Sequence, residues 1–147
     1  MTPSKRVLFI ECINILNDLK AHLEIKGYNV DIAESGREAI KKIVAQNYDL
    51  ILIESRLSDM ECTELLEKIQ KVTPNTIKII VTDYPSLKNV VNSLNLGVDG
   101  YFLLPIESGQ LLKTIKKQLK DQEEVGTIDQ EKITEIIKTR IRMLSQP

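Results

Sequence analysis

The sequence predicts a doubly wound α/β domain built on a five-stranded parallel sheet, with one extra helix at its carboxyl end. Two observations lead there. Five short apolar runs lack a polar face, as strands buried on both sides do, and each is followed by an amphipathic stretch at helical spacing. A third observation places the site. Residues 7–10 run into Glu11, residues 50–53 into Glu54, and residues 79–81 into Thr82 and Asp83. Side chains just beyond the carboxyl ends of adjacent parallel strands converge on one crevice, so these residues form the candidate site.

Each element has its own local signals. Residues 7–10 read as the first strand; Ile15, Leu16, Leu19 and Leu23 follow at helical spacing, and Gly27 stands where a helix stops. Residues 30–33 read as the second strand. The Ser35-Gly36-Arg37-Glu38 pattern of a capping box then opens a helix expected to bury Ala39, Ile40, Ile43 and Val44. The third strand, 50–53, leads to a helix with Leu65, Leu66, Ile69 and Val72 inward, ending before Pro74. Residues 77–81 are the fourth strand, and a helix from about Ser86 turns Leu87, Val90, Val91 and Leu94 inward until Gly97. The fifth strand, 101–104, is cut off by Pro105. Ser108 suits the cap of a helix that buries Leu111, Leu112, Ile115 and Leu119. Strand–helix alternation of this kind requires right-handed crossovers.

The division expected from this rhythm is a domain over residues 1–120 and a tail over 121–147. In the tail, the polar stretch 121–126 reads as a connector. Thr127 or Asp129 then caps a final helix with Ile133, Ile136, Ile137, Ile141 and Leu144 along one face. That stripe either packs back on its own domain or meets a partner or a second copy. The 20 basic and 21 acidic residues leave a net charge of −1, which gives no electrostatic footprint for nucleic acid or an anionic membrane. No apolar stretch has the length of a membrane span. Cys12 and Cys62 make no disulfide framework, so a reducing, cytoplasmic location is expected. His22, the single histidine, reads as a surface residue of the first helix.

With these landmarks in place, residues 5–120 resemble a response regulator receiver domain, the phosphoryl-accepting module of two-component signalling. The flanks YDLILI, RLSDM and LGVDGYFLLP are close to that family's wording. The resemblance implies a flavodoxin-like, CheY-like sheet of order 2-1-3-4-5. It also implies a site: an acidic pair at 11 and 12, the phosphoacceptor at 54, a switch hydroxyl at Thr82, a switch aromatic at Tyr101, and a Lys-Pro pair at 104 and 105. Receiver chemistry needs these types because a carboxylate attacks a phosphoryl group; Mg²⁺ and the lysine offset the charge that builds up.

This chain departs from that pattern at several positions. Glu54 replaces the acceptor aspartate and is one methylene longer. Cys12 replaces an acid and is a poor ligand for a hard cation. Leu104 replaces the lysine, Asp83 adds a negative charge beside Thr82, and Cys62 stands where a glycine is common. Glu11, Glu54 and Asp83, clustered without the lysine, are expected to raise at least one carboxyl pKa. The expectation is a non-enzymatic, degenerate receiver that acts by protein–protein contact and needs no cofactor, with at most a weak Mg²⁺ site at Glu11 and Glu54. Its expected partner is a histidine kinase or an output protein. A homodimer would form through the helix-four, strand-five and helix-five face or through the terminal helix. Two alternatives stand beside it: a receiver still phosphorylated through unusual site chemistry, and a flavodoxin-like small-ligand module. The second lacks a glycine-rich phosphate loop after the first strand.

Overall fold

The computed structural model describes residues 5–11, 16–83, 86–103, 108–126, 138–139 and 141–144. Strands β1 (Arg6–Ile10), β2 (Asn29–Ala33), β3 (Leu50–Glu54), β4 (Ile77–Thr82) and β5 (Gly100–Leu103) alternate with helices α1 (Leu16–Ile25), α2 (Gly36–Ala45), α3 (Cys62–Ile69), α4 (Leu87–Asn95) and α5 (Ser108–Gly126). The sheet is parallel throughout, in the order β2-β1-β3-β4-β5. The doubly wound architecture and its strand order are as the sequence predicts. Strand ends differ from the expectation by about one residue, as hydrogen-bonded ladders and apolar runs need not end together.

The apolar runs have no polar face because both faces of the sheet are covered. Val7, Phe9, Leu50, Leu52, Ile79 and Val81 point to one side, where Leu19 and Leu23 of α1 and Leu111, Ile115 and Leu119 of α5 close over them. Leu8, Ile10, Ile51, Ile53 and Ile80 point to the other, against Ala39 and Ile43 of α2 and Leu65, Leu66 and Ile69 of α3. This is the two-residue period of a strand, read once on each face.

The punctuation acts as expected. Gly27 and Gly97 follow α1 and α4 with φ of +93° and +84°, the left-handed backbone that ends a helix. Ser35 Oγ accepts from the Glu38 N–H at 3.0 Å, and Ser86 Oγ from the Asn89 N–H at 3.1 Å. Glu38 completes the box one residue early, accepting from the Glu34 N–H rather than that of Ser35.

Several inward assignments are corrected. Val44 is 72% exposed, because α2 buries the stripe of Gly36, Ala39 and Ile43, and Val44, one residue further round the helix, faces away from it. Val72 lies past the end of α3 and is exposed. Leu87, Val91 and Leu94 of α4 face solvent, and the one fully buried residue of that helix is Ser93. Helix α5 begins at Ser108 itself and continues through Gly126, so residues 121–126 are helical rather than a connector. Ile133, Ile136, Ile137 and the cap candidates Thr127 and Asp129 lie outside the described residues. Ile141 and Leu144 are helical and exposed, the latter at 86%.

Candidate functional site

The sheet register gathers the predicted carboxylates at one end. Ile10 pairs with Ile53, and Ile53 with Ile80, so Glu11, Glu54 and Val81 come next on three adjacent strands. Thr82 and Asp83 extend one and two residues further. Cys12, Leu104 and Pro105 lie outside the described residues. Glu54 closes β3 half-buried, and its carboxyl is held above the ordinary glutamate range. Burial is the main cause, followed by the negative charges of Asp83 and then Glu11. The expectation of a raised carboxyl in this cluster is met at Glu54, with desolvation ahead of repulsion.

Thr82 is fully buried, and its hydroxyl oxygen accepts a hydrogen bond from Ser55 Oγ at 2.6 Å. The loop after β3 reads as polar and solvated, so Ser55 escapes a reading by composition. Strand alternation does contain the signal. Continued past Glu54, it puts Ser55 on the face of Ile51 and Ile53, and Thr82 falls on that same face after Ile80. The Ser55 N–H also donates to Val81 O, and its own carbonyl accepts from the Cys62 N–H.

The rest of this loop is tied as tightly. Glu11 Oε2 accepts from the Ser58 N–H at 2.7 Å. The two carboxylate oxygens of Asp59 accept from the Gly36 and Arg37 N–H groups at 2.8 and 3.0 Å, capping α2 from outside. Those bonds, made to the ionised form, hold Asp59 below the usual carboxylate range. Gly36 permits this approach, since a Cβ there would meet the Met60 side chain at 2.6 Å.

Tyr101 points inward with Ile80, onto the α2 and α3 side of the sheet. Among the described residues its hydroxyl is buried without a hydrogen-bond partner, as is that of Ser93. Burial, then the neighbouring Cys62, pushes the Tyr101 phenol up. The Cys62 thiol, itself buried at the start of α3, is raised chiefly by desolvation. Ser93 opposes that rise, although its hydroxyl falls short of a well-formed hydrogen bond. Such a thiol is a poor nucleophile.

The resemblance to receiver domains implies Mg²⁺ at this end of the sheet. The residues described do not fit it. One Glu11 oxygen is already taken by the loop, and among the described residues no three acidic, His or Cys side chains come together as a ligand set.

Comparison with known proteins agrees with the architecture. Residues 13–116 match the family model for the response regulator receiver domain. The chain is 34% identical over 101 residues to the transcriptional regulatory protein ZraR of Escherichia coli K12, covering 69% of this chain and 23% of that one. It is 29% identical over 148 residues to the transcriptional regulatory protein GlrR of the same strain, covering 98% of this chain and 33% of that one. The chain thus spans only a quarter to a third of the length of these relatives. A solved CheY-like receiver domain from Methanospirillum hungatei JF-1 superimposes with a TM-score of 0.78 at 43% identity, covering 83% of this chain and 98% of that one.

Proposed function

Since the chain belongs to the response regulator receiver domain family of two-component signalling, we propose that it is a degenerate member which signals by partner binding without an obligatory phosphorylation cycle. One observation carries this reading. The acceptor position is filled by Glu54, whose half-buried carboxyl is disfavoured as an anion by burial and by Asp83 and Glu11. A phosphoryl group would add further negative charge to the place least able to hold it. Leu104 in the lysine's position, and Cys12 in an acid's, support the same reading.

Partner binding is assigned to the face formed by α4, β5 and α5. Leu87, Val91 and Leu94 of α4 are exposed, and so is Leu103, at 56%, on the edge strand β5. On the α5 side of the same edge strand, Phe102, Gln110, Lys113, Thr114 and Lys117 line a groove of about 550 Å³. Helix α4 and residues 108–120 carry Lys88, Lys113, Lys116, Lys117 and Lys120 with no acidic residue. An apolar centre under a one-signed rim suits an acidic amphipathic segment of a histidine kinase or an output protein. A homodimer through this face or the terminal helix is the second form such contact takes.

The test is intact mass after incubation with Mg²⁺ and acetyl phosphate, with Glu54→Asp run alongside. No adduct is expected on the native chain, and a phosphoryl adduct there overturns the reading. No adduct on Glu54→Asp either would assign the loss to the rest of the pocket.

A further inference from the structure

Glu11 has a backbone φ of +53°, the one positive value at a non-glycine position among the described residues. An L-residue with a long side chain rarely adopts it, because Cβ crowds the carbonyl oxygen. Such a conformation persists where its surroundings over-determine it. Here two hydrogen bonds do so. The Glu11 N–H donates to Ala33 O at 3.0 Å, extending the β1–β2 ladder by one bond. The Glu11 carboxylate in turn reaches the Ser58 N–H, 47 residues along the chain. An aspartate, one methylene shorter from the same Cα, would fall short.

Ser58 sits between the two other tethers of the same loop. Ser55 is fixed to Thr82 on β4, and Asp59 to the first turn of α2. The loop is therefore held from three sides by groups of this chain. We propose that Glu11 is a positioning residue whose carboxylate anchors the β3–α3 loop in one state without a cation, completing a latch with Ser55–Thr82 and Asp59. The misfit of the site to Mg²⁺ is in keeping with it: one oxygen of the Glu11 carboxylate, a candidate ligand, is already engaged by Ser58. The latch deepens the proposed reading and rests on it in taking the site as one that does not cycle.

Amide hydrogen exchange and chemical shifts of the full chain test it, with and without millimolar Mg²⁺. In Glu11→Ala, Ser58 exchange is expected to accelerate on the order of ten-fold, the loss of one charge-assisted bond. Glu11→Gln keeps an acceptor oxygen of the same reach and should restore most of the protection. Glu11→Gly relieves the positive φ and supplies a second folded variant without the carboxylate. In all of them the Gly36 amide, bonded to Asp59, should keep its native rate. Mg²⁺ should leave the loop resonances of the native chain in place. Unchanged Ser58 exchange in both Glu11→Ala and Glu11→Gly, or Mg²⁺-dependent shifts in the native loop, would overturn the latch. A phosphoryl adduct by mass would instead refute the proposed function and leave the Ser58 measurement standing.

Discussion

Helices α3 and α4 lie side by side and carry apolar residues at the same helical spacing, yet their fates are opposite. Cys62, Leu65, Leu66 and Ile69 of α3 are buried against the centre of the sheet and α2. Leu87, Val91 and Leu94 of α4 remain in solvent, while Ser93 takes the buried position. An amphipathic stripe states that some face prefers to be covered and leaves open what covers it. Helix α3 is covered by its own domain. Helix α4 precedes the edge strand β5, where the sheet runs out, and its stripe stays in solvent.

The sharpest way to break this contrast is to truncate both stripes. Leu66→Ala should cost about 2–5 kcal/mol in urea unfolding, the price of a cavity in a packed core. Leu94→Ala should change stability by no more than about 0.5 kcal/mol, as an exposed site does. Equal losses would mean that α4 is covered in solution. The polar heart beneath α4 gives the next effect. Tyr101→Phe removes a buried hydroxyl that has no partner among the described residues and should stabilise the fold by about 1 kcal/mol. Loss of stability would reveal a bond that this hydroxyl makes.

A smaller effect separates the site from the face by pH. Because the folded Glu54 carboxyl titrates above its ordinary 4.5, the folded state binds that proton more tightly than the unfolded chain. Its contribution to stability is therefore full below the unfolded value and is lost as pH rises through the folded one. Glu54→Gln should accordingly stabilise the protein at neutral pH, with the gain shrinking as pH falls through the raised folded value towards 4.5. Denaturation midpoints of both chains across that range check the sign. A gain that grows towards acid would show the carboxylate to be favoured by the fold. Least of all in stability, Val91→Glu should leave the midpoint nearly unchanged and abolish binding or self-association through the α4–β5–α5 face, as read by sedimentation. Retained association would move the contact to the terminal helix.

Much of this molecule is decided within short windows of sequence. The five apolar runs, the stops at Gly27 and Gly97, the caps at Ser35 and Ser86, and the acidic ends of β1 and β3 all follow from neighbours in sequence. Strand period, φ preference and side-chain-to-backbone capping reach only a few residues. They are enough to set a parallel sheet and to bring Glu11, Glu54 and Asp83 to one end of it. The tertiary structure alone decided how that end is fastened. Ser55 meets Thr82 across 27 residues, Asp59 meets Gly36 across 23, and Glu11 meets Ser58 across 47. It also decided that α4 lies open. Hydrogen bonds between distant residues, and the cover an amphipathic helix finds, depend on which elements the fold brings together, and no local period carries that information.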